Sequence, residues 1–129
     1  MDLKNITPVS DWIEYELVTK PPQKIKVKIE HIPGASVFDY IDSDGTPQLK
    51  GSEIVFQLVL DAIKEWDLTL DGKPLAVDQE TKEKFRKELS VIFDIKVKVE
   101  PEEGKKPRVY TLTSALFEYA RNQENFLKN

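Results

Sequence analysis

The chain has no cysteine, one histidine, one methionine and five glycines among its 129 residues. Each scarcity removes a class of chemistry. Without cysteine there is no disulfide framework, no thiol nucleophile and no thiolate metal site, and the composition fits a reducing compartment. With His31 alone, a serine triad has a single choice of base and a zinc site lacks enough nitrogen or sulfur ligands. His31 stands at the end of a strand-like run, where a structural role is expected. Glycine is too sparse for a phosphate-cradling loop. Positive charge is not in excess either: 19 Lys and Arg face 23 Asp and Glu, for a net charge of −4. General affinity for nucleic acid rests on neutralising phosphates and is therefore not expected. Long hydrophobic runs are missing. The greasiest stretch, "IVFQLVLDAI", is interrupted by Gln57 and Asp61 and falls short of a bilayer span. The opening "MDLKNITPVSDW" lacks the apolar core of a signal peptide. The expectation is a soluble, intracellular-type protein, with no membrane or nucleic-acid partner, no metal and no cofactor.

What remains is a pattern of alternations. Residues 1–129 fit one domain, and a chain of this length buries roughly two-thirds of its unfolded surface without staples. Residues 12–30 read as a β-hairpin. Ile13, Tyr15 and Leu17 alternate with Glu14 and Glu16, and Ile25, Val27 and Ile29 alternate with Lys24, Lys26 and Lys28. The connector "TKPPQ" cannot continue either strand, because proline donates no backbone hydrogen bond. Folding back sets the glutamate row beside the lysine row.

A turn-rich stretch with room for a short helix over 36–41 follows. Residues 52–93 then read as two helices. The first opens at Ser52 as N-cap and carries Val55, Leu58, Val59, Ala62, Ile63 and Trp66 at three- and four-residue spacings. The second opens behind Asp78, with Phe85, Leu89, Ile92 and Phe93 as its stripe and a charged, solvated opposite face. Strand period returns at Ile95, Val97 and Val99, "RVYTL" reads as a returning strand, and Leu116, Tyr119, Ala120 and Leu127 suggest a terminal helix within 95–129. The fold class is α+β: a small N-terminal antiparallel hairpin or sheet with about three amphipathic helices.

Two motifs tempt toward chemistry. "VFDYIDSDGT" resembles the first motif of haloacid-dehalogenase-type phosphatases, which implies Asp42 as nucleophile and Asp44 as acid–base beside magnesium. The parallel sheet and second paired-aspartate motif that this chemistry needs do not follow. Asp42, Asp44, Thr46 and Glu53 also imitate a calcium loop, but Pro47 takes the position that requires glycine. A plain turn is the simpler reading. "GKKPR" at 104–108 is a compact basic cluster largely cancelled by "PEE" before it; a solvated loop is expected there.

The connector between the two helices, "EWDLTLDGKPLAV", is the most specific stretch in the chain. On periodicity alone it is a helix–turn–helix link whose tryptophan plugs the core. As a whole, Trp66, Asp67, Leu68, Asp71, Gly72, Pro74 and Leu75 resemble the pattern found in tail assembly chaperones of long-tailed, siphovirus-like bacteriophages and prophages. The resemblance spans 12–93 and is densest over this connector. It implies a non-enzymatic role in the host bacterial cytoplasm: coating the aggregation-prone tape measure protein, recruiting tail tube protein, then leaving the finished tail. In many such phages a frameshift makes a longer form, of which this chain would be the short one.

A holdase needs apolar strips that accept an amphipathic helix. Candidates are Val55, Val59, Ile63 and Trp66, with Leu68 and Leu70 in the connector and Leu116, Tyr119 and Leu127 near the carboxyl end. Homo-oligomerisation stays open. So do two other classes, a small structural tail or connector protein and a magnesium-dependent phosphotransferase using Asp42 and Asp44.

Overall fold

The computed structural model describes residues 7–34, 51–98, 104 and 110–128. The sequence motif at Asp42 and Asp44, the short helix over 36–41, Val99 and most of the 104–108 cluster lie outside these residues.

The hairpin forms as its alternation requires. β2 (Trp12–Leu17) and β3 (Gln23–Ile29) pair antiparallel, following a short β1 (Thr7–Pro8), in a register that sets Glu14 opposite Lys26 and Glu16 opposite Lys24. Ile25, Val27 and Ile29 are buried on one face while the lysines face out. Between the strands the Lys20–Pro21 peptide is cis, and the Thr19 hydroxyl donates to Pro21 O at 2.8 Å.

The next helix is shorter than its apolar spacing predicts. α1 (Gly51–Ala62) already contains Ser52 within its first turn and stops at Ala62. Ile63 and Trp66, expected on this helix, instead belong to β4 (Ile63–Trp66), which pairs antiparallel with β3. Two buried residues three apart should point to opposite faces of a regular strand. Here the register shifts between Lys28 and Ile29, and this irregularity restores parity, so that Ile63 and Trp66 both face inward. The carbonyls that a continuing helix would use are taken: Glu30 N–H donates to Ala62 O at 2.9 Å, and Lys82 Nζ to Ile63 O at 2.9 Å.

After β5 (Thr69–Leu70) and β6 (Lys73–Pro74), the second helix arrives behind Asp78 as expected. The Asp78 carboxylate accepts the Thr81 N–H at 2.7 Å, and this bond holds its pKa below the ordinary value. The helix is kinked at Phe85 into α2 (Gln79–Lys84) and α3 (Arg86–Phe93). Backbone bonds from Phe85 to Thr81 and from Leu89 to Phe85 persist on both sides of the kink. β7 (Lys96–Val97) and β8 (Tyr110–Thr111) follow, and Thr111 caps α4 (Leu112–Arg121). Leu127, expected on that last helix, lies beyond it in β9 (Leu127–Lys128), which pairs with β1 and joins the two described ends of the chain.

Among the described residues the main sheet is five-stranded and antiparallel, in the order β4-β3-β2-β7-β8, and with four α-helices the architecture is α+β. One face carries the core. Val27, Ile29, Val59, Ile63, Phe93, Leu112, Leu116 and Ala120 are all fully enclosed. α1 and α4 pack on each other, Phe56 and Phe93 bring α1 and α3 into ring contact at 5.8 Å, and the Tyr15 hydroxyl donates to Ala115 O at 3.4 Å. The other face is a lattice of opposite charges. Glu14 lies 3.7 Å from both Lys24 and Lys26, Lys28 is 3.0 Å from Glu65, and Lys98 is 3.0 Å from Glu16. Trp12 lies among them with the Lys28 ammonium 5.2 Å from its ring centroid.

The two faces differ in energetic weight. Leu116→Ala empties a fully buried site and should cost about 2–5 kcal/mol in urea unfolding, whereas Glu14→Gln on the wet face should cost less than about 1 kcal/mol. Tyr15 supplies a pH signature. Burial, with Tyr119 and Glu118 adding to it, pushes its pKa from 10.0 up to about 12. The folded state thus keeps a proton that the unfolded chain releases, and stability is lost as pH rises through that interval. Tyr15→Phe should flatten this alkaline decline in the urea midpoint.

Candidate docking groove

α4 buries Leu112, Ala115, Leu116 and Ala120 and leaves a second, partly covered side. Along that side Ser114, Phe117, Glu118 and Arg121 face Val55 of α1 across an open groove of about 540 Å³. Tyr110 and Asn122 complete its lining. Val55, Tyr110 and Phe117 give it apolar or aromatic surface. Glu118 and Arg121 supply one charge of each sign, and the Arg121 guanidinium lies 5.4 Å from the Phe117 ring centroid. The Ser114 amide and hydroxyl are both engaged by Thr111, at 3.1 Å each. Such a surface suits apolar side chains presented by a partner, flanked by polar groups of either sign.

The connector is a second constellation, and it is architectural. The Trp66 indole N–H donates to Leu75 O at 2.8 Å. The Asp67 carboxylate accepts the Lys26 N–H at 3.0 Å, beside a bond from Asp67 N–H to Lys26 O at 3.1 Å. Asp71 and Gly72 take φ values of 52° and 79°, the paired left-handed geometry of a type I′ turn, and Leu75 N–H donates to Leu68 O at 2.9 Å. Pro74 pairs with Thr69 in the β5–β6 hairpin. The connector is therefore a β-hairpin closed by tryptophan, not a simple link between helices. Behind it the buried Lys82 has its pKa lowered, chiefly by desolvation, while Asp61, Asp78 and Glu30 oppose the shift and Lys64 adds to it.

The docking residues expected from the sequence scatter. Val59, Ile63 and Leu116 are wholly buried and Trp66 is 7% exposed, so none of these four presents a surface to a partner. Their spacing marks core. Val55 alone of the set lines the groove. Leu68 is half-buried, and Leu70 stands exposed beside the hairpin turn. Tyr119 packs edge-on against Phe126 with centroids 5.6 Å apart, and Leu127 is exposed in β9. His31 contacts the same Phe126 ring at 5.5 Å, a structural position. Phe117 and Arg121 were missed, although their four-residue spacing on an amphipathic helix was a usable signal.

Among the described residues, no three histidine, aspartate or glutamate side chains assemble as a metal-binding group, and no helix is long and apolar enough to cross a membrane. No family model matches the chain, and no curated protein or solved structure matches it at a significant level.

The hairpin's tolerance is checkable. Trp66→Phe substitutes a smaller ring in a buried site and leaves Leu75 O without its donor, so the lost hydrogen bond, about 1–3 kcal/mol, adds to the lost packing in chemical unfolding. Gly72→Ala meets no neighbouring atom and should cost only the backbone strain of its positive φ, about 1–2 kcal/mol.

Proposed function

We propose that the chain is a tail assembly chaperone of a long-tailed bacteriophage or prophage. In this reading it binds the tape measure protein in the host bacterial cytoplasm, keeps it soluble and helps recruit tail tube protein. The observation that carries the proposal is the connector. The residues that resemble the family pattern fold as one unit, with Trp66, Asp67, Gly72 and Leu75 each fixed by a specific bond or backbone conformation. The α1–α4 groove supplies the place for the partner, because Val55, Tyr110 and Phe117 can receive one apolar edge of an amphipathic helix. No covalent step is required of such a protein. Binding by burial alone is reversible, as release from a finished tail demands.

Co-expression with a phage tape measure protein tests the proposal. The parent chain should move the partner into the soluble fraction and co-purify with it. Phe117→Asp, placing a charge in the groove, should weaken capture at least about tenfold, equivalent to about 1.4 kcal/mol, while retaining the parent circular dichroism. A partner whose solubility never responds contradicts the proposal. Recovery of the protein in purified virions would mark it instead as a structural tail component.

A further inference from the structure

α1 forms one wall of the groove, yet its last turn carries no basic residue to complement its own carboxyl end. That end is held from behind by the kinked α2–α3 segment. Lys82 Nζ donates to Ile63 O at 2.9 Å, immediately past the end of α1. Four residues on, Arg86 Nη1 donates to Gln57 Oε1 midway along the helix, and its guanidinium lies 5.1 Å from the Phe56 ring centroid. Gln57 is tied in turn to Asp61 by a 2.7 Å bond.

Residues four apart project from one side of a helical segment. The backbone bonds that continue through Phe85 make Lys82 and Arg86 two points on one body. The opposite wall is tied to the far end of the same segment: the Thr113 hydroxyl donates to Phe93 O at 2.9 Å and Leu112 N–H to Ile95 O at 2.8 Å, anchoring the start of α4. One wall is thus anchored to the end of α3 and the segment after it, while the other is gripped at two places by cations from α2–α3.

We infer that Lys82 and Arg86 are positioning residues, a two-point bracket that sets the separation of α1 from α4 and hence the width of the groove. The functional consequence rests on the docking reading above; the bracket itself does not. Lys82 provides the stronger grip, because a buried ammonium that lost its acceptor would remain poorly solvated. Arg86 is exposed and provides the adjustable one.

The cysteine-free chain allows direct measurement of the separation. Spin labels at Glu53→Cys on α1 and Glu118→Cys on α4, both exposed positions, report the distance between the walls. The parent should give a narrow distribution. Lys82→Met and Arg86→Ala should each shift and broaden it with circular dichroism unchanged, and Arg86→Lys should restore most of the parental distribution. Unchanged distributions in the folded variants overturn the inference. If Lys82→Met does not fold, Arg86→Ala decides on the same criterion. If the walls respond but the parent fails to solubilise a tape measure protein, the docking reading falls and the bracket stands. If the walls do not respond, the bracket falls whatever the partner does.

Discussion

Glu30 N–H and the Lys82 ammonium capture the carbonyl oxygens of Ala62 and Ile63, and this capture converts a helix into a strand without an intervening loop. Helix and strand each satisfy backbone polar groups, so the local sequence alone does not choose between them. The choice is made by the bonding edge of β3, which offers backbone partners to whatever follows α1, and by a buried cation from another element. Once β4 is laid down, Trp66 reaches the inner face and its indole closes the following hairpin on Leu75. The hairpin delivers Asp78 to cap α2, which returns Lys82 to the junction. Junction, hairpin and bracket form a closed circuit of mutual support.

The sheet divides the molecule's labour. Its inner face buries the aliphatic core beneath α1, α3 and α4, and that burial is the main source of stability. Its outer face offsets Glu14, Glu16 and Glu65 against Lys24, Lys26, Lys28 and Lys98, in pairs that water and salt largely screen. Such pairs contribute little energy and do not by themselves fix register, since sliding β2 against β3 by two residues would set Glu14 opposite Lys28 and Glu16 opposite Lys26. What the buried row of Ile25, Val27 and Ile29 forbids is the one-residue slip that would turn it toward water. The charged pairs also blunt the tendency of an uncovered sheet to associate with another.

How much of this was legible depended on whether a signal was local. The 12–30 hairpin was readable because strict alternation and a proline-containing connector point the same way. The Asp78 cap and the Asp71-Gly72 turn were readable for similar reasons. Ile63 and Trp66 were not. Their three-residue spacing is helical by default, and only the bulge in the β3–β4 pair turns it into two inward-facing strand positions. Leu127 suffered the same fate, since its spacing extends α4 on paper while Asn122 caps a 3-10 turn that sends the chain toward β1. The docking surface was the least legible feature. Most residues of the apolar stripes that suggest docking strips are core, and the groove depends on how two helices distant in sequence meet.

The face proposed for the partner is a shallow apolar seam between α1 and α4, carried on a well-tied scaffold, with charge of both signs at its rim. Among the described residues, engagement should change the exposure of α1, α4 and the residues that flank α4, Tyr110 and Asn122. Hydrogen–deuterium exchange of the chain alone and bound to a tape measure segment measures this directly. Protection confined to α1, α4 and the flanking Tyr110 and Asn122, with the β5–β6 hairpin and the lysine-rich sheet face unchanged, is the predicted result. Protection centred on the sheet face, with α1 and α4 exchanging as in the free chain, would contradict it.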